Sequence, residues 1–252
     1  MDDHAAEAIG LVGVSLGYGS KKVVTGLNAS VPGNGITALL GQNGCGKTTL
    51  LRALIKNIRP IEGTIYLRGE DLGGIGIEAL PMHLSYAPAA LEDMVGIRVI
   101  DLVSNARKAG RWLRQSEAML ALSSVGMGSL SDSLFNELST GQKKLALIAR
   151  SIAIDAPIAL LDEPTSGLDP TNKQIIRSVI SGLSVQKSSV IIATHDLDLA
   201  LRSDYVIALK NGTLFKSGPA SDVLTSRNLT LLYGSRISVR RIGGRKLAVY
   251  DG

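Results

Sequence analysis

Short apolar runs bounded by turn residues recur along the chain at residues 35–40, 156–161 and 189–194. Each has the length of a buried strand and is followed by a helical pattern, which predicts parallel strands joined by crossover helices. Ahead of them, residues 9–16 and 22–31 alternate more in the manner of an antiparallel, half-exposed pair, so a mixed sheet is expected. From 96 to 135 the strand pattern disappears. Val99, Leu102, Val103 and Ala106, then Leu113, Met119, Leu122 and Val125, fall at helical spacing and predict a small helical subdomain inserted into an α/β core. Beyond residue 222 a helical segment runs through Tyr233, and short strands at 237–242 and 246–250 flank Gly243-Gly244; this stretch reads as peripheral to the chemistry. The chain contains no internal repeat and no low-complexity tract.

Composition narrows the class. A chain of 252 residues can bury a full core, and 45% hydrophobic with 19% charged residues fits a globular protein. The formal charge of +5 is spread along the chain, with no run of Lys and Arg interleaved with aromatics, so nucleic acid is not an expected partner. The same balance suits a surface beside anionic headgroups or a bound polyphosphate. One cysteine, Cys45, excludes an internal disulfide, and with three histidines a structural zinc site is not expected. The beginning MDDHAAEAIG is acidic and lacks the basic start and apolar stretch of a signal peptide. Elsewhere the most apolar segments are short and interrupted, so membrane association is expected through a partner.

The run Gly41-Gln42-Asn43-Gly44-Cys45-Gly46-Lys47-Thr48, continuing into Thr49, follows a strand-like ITALL and precedes the helical TLLRALIKNI. Motif and context both fit a P-loop. Its glycines let successive N–H groups point inward, and the helix N-terminus adds its positive dipole end, which makes an anion cradle. Lys47 is expected to reach the β and γ phosphates of ATP, and Thr48 to offer its hydroxyl to magnesium. Cys45 is either a reactive thiol beside a helix N-terminus or, as we prefer, a small residue filling a tight loop whose amide does the work.

A second apolar run ends in Asp162-Glu163. Strand carboxyl ends are where α/β sheets bind ligands, and neighbours in a strand point to opposite sides. On that reading Asp162 faces magnesium, and Glu163 acts as general base or orients the attacking water. His195 follows another apolar strand, Val190-Ile191-Ile192-Ala193-Thr194, and is placed to donate a hydrogen bond to the γ phosphate. His4 and His83 have no such position and read as structural.

Leu138-Ser139-Thr140-Gly141-Gln142, shortly before the Asp-Glu strand, resembles the signature motif of ABC-type ATPases, the family that combines it with a P-loop. Ser166-Gly167-Leu168-Asp169 resembles the family's D-loop, Thr194-His195-Asp196 its switch histidine, and Tyr18 its adenine-stacking aromatic. Local physics agrees with the signature reading: Ser139 is a good N-cap, and the amides of Thr140 and Gly141 open a helix, forming a second anion site. The resemblance implies the ABC ATPase fold across 9–252. Residues 9–92 and 143–218 would form the nucleotide-binding core, 93–142 the helical subdomain, and 219–252 a C-terminal extension.

Implied as well are head-to-tail pairing with a second copy or a homologous ATPase and transmembrane permease subunits. An extracytoplasmic substrate-binding protein would act indirectly, and the chain would sit peripherally on the cytoplasmic face of the membrane. Residues 99–103 leading to Arg107, and the end from Asp222 through Gly234, are similar to ATPases of iron-siderophore, haem or cobalamin importers. A soluble ABC-type ATPase acting on nucleic acid or the ribosome is the alternative; those proteins usually carry two cassettes or long inserted arms. A P-loop kinase or GTPase is opposed by the signature and by His195. Two positions depart from the pattern. Thr140 stands for the usual glycine, which leaves its amide in place. Ala89, after Leu84-Ser85-Tyr86-Ala87-Pro88, stands where the Q-loop glutamine is expected, and Glu92 is the nearest polar substitute.

Overall fold

The computed structural model describes residues 7–91, 95–108, 110–186 and 189–250; His4 and Glu92 lie outside them. The chain forms two compact units, residues 1–75 with 191–252, and residues 76–190.

The first unit opens with β1 (Glu7–Tyr18) and β2 (Lys21–Pro32), paired antiparallel with Tyr18 opposite Lys21. The turn between them needs glycine: Gly19 has φ 56°, and a Cβ on Gly17 would lie 2.1 Å from the Lys21 carbonyl oxygen. Next come β3 (Ile36–Leu40), α1 (Lys47–Leu54), β4 (Glu62–Leu67) and β5 (Glu70–Asp71). Strand order in the antiparallel sheet is β2-β1-β4-β5.

The second unit holds β6 (Leu84–Ala87), α2 (Val99–Ser104), β7 (Arg107–Lys108), β8 (Arg111–Trp112), α3 (Gln115–Ser124), α4 (Thr140–Ile154), β9 (Ile158–Asp162) and α5 (Pro170–Gln186). β6 and β9 pair in parallel, Tyr86 opposite Leu160, and a buried hydrogen bond of 2.8 Å between the Ser85 and Ser151 hydroxyls ties β6 to α4. The helical insertion is present with one departure, the small β7–β8 hairpin. Gly110 at φ 82° supports its turn, and Arg107 stacks over the Trp112 ring at 5.2 Å. Val99, Leu102, Val103, Ala106, Leu113, Leu122 and Val125 are buried as their spacing predicts, but Met119 is exposed, because α3 buries Ala118 and Ala121 instead.

β10 (Ser189–Thr194) carries the chain back into the first unit, followed by α6 (Leu197–Ala200), β11 (Tyr205–Lys210), β12 (Thr213–Pro219), α7 (Ala220–Val223), α8 (Ser226–Tyr233), β13 (Ile237–Ile242) and β14 (Arg245–Tyr250). Here the strand order β12-β11-β3-β10 combines a parallel β3–β11 pair with an antiparallel β11–β12 pair; the sheet is mixed as expected, but its antiparallel member is β12, while the 9–16 and 22–31 segments lie in the separate antiparallel sheet. Asp204 pins the start of β3 by accepting from the Ile36 N–H at 2.8 Å. Leu40, Val206, Ala208, Leu224, Leu229 and Leu232 share one apolar core. Each such leucine removed from water contributes ~1.5–3 kcal/mol, which sets the strand that precedes the phosphate loop on a firm base.

Candidate nucleotide-binding site

In the first unit, β3 runs directly into the glycine-rich loop. A Cβ on Gly41 would lie 2.5 Å from both the Cys45 sulfur and the Leu209 carbonyl oxygen, and one on Gly46 would lie 2.5 Å from Val24 Cγ2. Gly44 and Gly46 sit at φ 79° and 106°, the left-handed side that glycine alone enters freely. The loop is therefore wound too tightly for a Cβ at Gly41 and Gly46, and at Gly44 the backbone conformation itself favours glycine, as a cradle of amides requires. Cys45 is buried with its sulfur against Gly41, which fits the filling role. α1 starts at Lys47, and its ladder begins with Leu50 N–H donating to the Gly46 carbonyl at 2.9 Å. Lys47 lies across the loop, its Nζ donating to the carbonyls of Gly41 at 2.8 Å and Gln42 at 3.3 Å. Thr48 is half-buried and Thr49 is buried, while Gln42, Asn43 and Gly44 face solvent.

The same unit carries Tyr18 and His195. Tyr18 ends β1 with its ring 45% exposed, and its hydroxyl accepts from Arg52 of α1 at 3.1 Å. His195 is exposed one residue past β10, the sheet neighbour of β3. The turn around it is fixed on both sides. Asp196 N–H donates to the Thr194 hydroxyl at 2.9 Å, and the Asp196 carboxylate accepts from the N–H groups of Asp198 and Leu199. The C-terminal stretch is less peripheral than its sequence suggests: the Gln42 amide of the loop donates to the Tyr233 carbonyl at the end of α8, 3.0 Å away. That contact joins positions too distant in the chain for any local pattern to reveal.

The second unit presents the acids. Asp162, 2% exposed, ends β9 and accepts from the Tyr86 hydroxyl at 3.4 Å. Here the structure amends the strand argument. β9 stops at Asp162, and Glu163 turns into the left-handed region at φ 45°, so the alternation of a pleated strand does not extend to Glu163. Such a conformation costs ~1–3 kcal/mol for a residue with a Cβ. Three donors converge on the Glu163 carbonyl: Lys144 Nζ at 2.5 Å, the Ser166 hydroxyl at 3.1 Å and the Ser166 N–H at 3.2 Å. Lys144, on α4, is itself buried; burial pushes its ammonium pKa below the ordinary lysine value, against the pull of the Glu163 and Asp162 carboxylates. Ala89 lies in a bend after β6 and offers only a methyl group.

Ahead of α4, Ser139 caps the helix, its hydroxyl accepting from Gln142 N–H at 3.3 Å while the Gln142 side chain accepts from Ser139 N–H at 2.9 Å. This reciprocal box gives Gln142 a task that its signature position alone did not reveal. Leu138 is buried, Ser139 and Thr140 are exposed, and Gly141 is covered by Asn172 of α5, to which a Cβ would approach within 2.8 Å. Asp169 sets that cover: its carboxylate accepts from the N–H groups of Thr171 and Asn172 at 2.9 and 3.0 Å and from the Asn172 amide at 2.5 Å. The bonds from Asn172 chiefly hold the Asp169 carboxyl below its ordinary pKa. Among the described residues, no helix is long and apolar enough to cross a membrane.

A glycine-wound phosphate loop, an Asp-Glu turn at a strand end and a capped signature helix together define a P-loop ATPase of the cassette class. A profile of the family described as "ABC transporter" matches residues 24–166. Achromobactin transport ATP-binding protein of Dickeya dadantii is 33% identical over 220 residues, 84% of this chain and 82% of its own length. Ferric enterobactin transport ATP-binding protein of Escherichia coli is 31% identical over 235 residues, covering 90% and 87%. A solved transporter described as of metal-chelate type, in an inward-facing conformation, matches with a TM-score of 0.81 at 28% identity over 97% of both chains. The chain belongs to the ABC transporter family, in which it is an ATP-binding subunit that hydrolyses ATP in support of transport.

Proposed function

We propose that this chain powers an importer of metal chelates of the iron-siderophore, haem or cobalamin kind. It would sit peripherally on the cytoplasmic face of the membrane, docked on permease subunits that receive cargo from an extracytoplasmic binding protein. Support comes from relatives named for achromobactin, ferric enterobactin and iron(3+)-hydroxamate transport or import, and from the likeness to a metal-chelate transporter along nearly the whole chain. We read 9–252 as one cassette, with 9–92 and 143–218 as its core, 93–142 as its helical subdomain and 219–252 as its extension.

Within it, Tyr18 stacks on adenine, and the amides of 41–49 together with Lys47 hold the phosphates. Exchange of the Gly41 and Gln42 carbonyls for phosphate oxygens around Lys47 Nζ keeps its ammonium partnered on binding. The Thr48 hydroxyl and Asp162 carboxylate are hard oxygen donors suited to magnesium, which when bound neutralises charge on the β and γ phosphates. Glu163 accepts the proton of the attacking water or orients it, and His195 donates to the γ phosphate. Leu138, Ser139, Thr140, Gly141 and Gln142 close on the ATP of a second ATPase subunit, identical or homologous, and Asp169 fixes their cover through Asn172. The observation that carries this composite reading is the N-terminus of α4, where a reciprocal box fixes the first turn and Ser139 and Thr140 are exposed at the positive end of the helix.

The test is stimulation of ATP hydrolysis after reconstitution of the chain with its permease in lipid vesicles, using binding protein loaded with a ferric siderophore, haem or cobalamin. Stimulation by one of these is expected, and copurification with the permease from detergent-solubilised membranes should accompany it. Turnover indifferent to all three chelates removes the import reading.

A further inference from the structure

We propose that Lys144 is a positioning residue for ATP hydrolysis: from the signature helix it pins the Glu163 carbonyl and so holds the catalytic carboxylate in its left-handed turn. Three observations meet on it. Glu163 adopts φ 45°, a conformation that persists only where surrounding bonds over-determine it. Its carbonyl oxygen accepts from Lys144 Nζ at 2.5 Å, and the same ammonium donates to the Ser166 hydroxyl at 3.1 Å, which in turn donates to that carbonyl at 3.1 Å. Lys144 is 6% exposed, so this long cation has been drawn out of water to serve a backbone oxygen.

The consequence is mechanical. Ser139 and Thr140 stand at the N-terminus of α4 and Lys144 one turn further on, with its tip on the backbone of the residue assigned as general base. A displacement of α4 when its N-terminus engages an anion is thereby delivered to Glu163 and, through Ser166, to the loop that leads to Asp169. The bond carries no proton and touches no substrate; it sets where the Glu163 carboxylate points.

This inference rests on Glu163 being the base, so magnesium–ATP turnover of Lys144→Met and Glu163→Gln is measured side by side on the intact chain. Lys144→Met keeps the length of the side chain and removes its donors. Its kcat is expected to fall at least tenfold with KM for ATP within twofold of the parent, and Lys144→Arg, which restores a donor, should recover part of the loss. A kcat for Lys144→Met within twofold of the parent, or Lys144→Arg as slow as Lys144→Met, overturns the proposal. Should Lys144→Met fail to fold, Ser166→Ala removes the second partner of the ammonium. A threefold or greater fall in kcat at unchanged KM is expected there, and an unchanged kcat overturns the proposal. If Glu163→Gln keeps its turnover, the base assignment falls and this inference with it. If Glu163→Gln is inactive while Lys144→Met is not slowed, the inference alone falls.

Discussion

The phosphate loop and the Asp-Glu turn reach special backbone geometry by opposite means. In the loop, Gly41 and Gly46 remove Cβ atoms that would collide, and Gly44 and Gly46 adopt left-handed φ values at little cost. At the turn, Glu163, which we propose as the base, carries its Cβ into the left-handed region, and the strain is met by three hydrogen bonds to one carbonyl oxygen. A site made of amides can delete side chains, whereas a site made of a carboxylate must retain one and brace it.

That contrast can be broken most sharply at Glu163. Glu163→Gln keeps the size and the braced backbone but loses the base, so turnover should fall on the order of a thousandfold while ATP still binds and a dimer is trapped. Single-turnover kinetics and gel filtration with ATP measure both, and turnover near the parent value would remove the carboxylate from the chemistry. Next in size is Lys47→Ala, which deletes a charge-assisted contact and should weaken ATP binding by roughly ten- to a hundredfold. Calorimetric titration with ATP measures it, and parental affinity would undermine the loop assignment. Gly46→Ala tests the loop's own principle: a methyl at φ 106°, set against Val24, should destabilise the protein by about 1–3 kcal/mol in urea unfolding and lower ATP affinity with it. Ser139→Ala, on the braced side, removes a cap only, and about 1 kcal/mol of stability is expected to go. A loss above about 3 kcal/mol would show that Ser139 does more than cap the helix.

How far the sequence could be read follows the same line. Runs 35–40, 156–161 and 189–194 became β3, β9 and β10 because strands buried on both faces have no polar interruption. β4 and β12 show no clear strand pattern, since most of their exposed positions are polar and Gly63 and Gly218 dilute it. In β11 the apolar stretch Val206–Leu209 is too short to separate strand from helix by periodicity. The phosphate loop was legible because its geometry is written in residue type. Lys144 was not, because a φ angle and a carbonyl 19 positions away leave no trace in composition or spacing. Gln42 bonding to Tyr233 escaped for the same reason, and with it the part that the C-terminal helix plays in seating the loop.

The hydrogen bond from Ile36 to Asp204 spans 168 residues. On a ribosome adding about 5–20 residues per second, the strand that leads into the phosphate loop waits roughly ten to thirty seconds for β11 and the Asp204 that pins it. Residues 76–190 are contiguous and emerge whole during that interval. The segments that carry Asp162, Glu163 and Lys144 are thus all synthesised before the residue that pins the strand leading into the cradle.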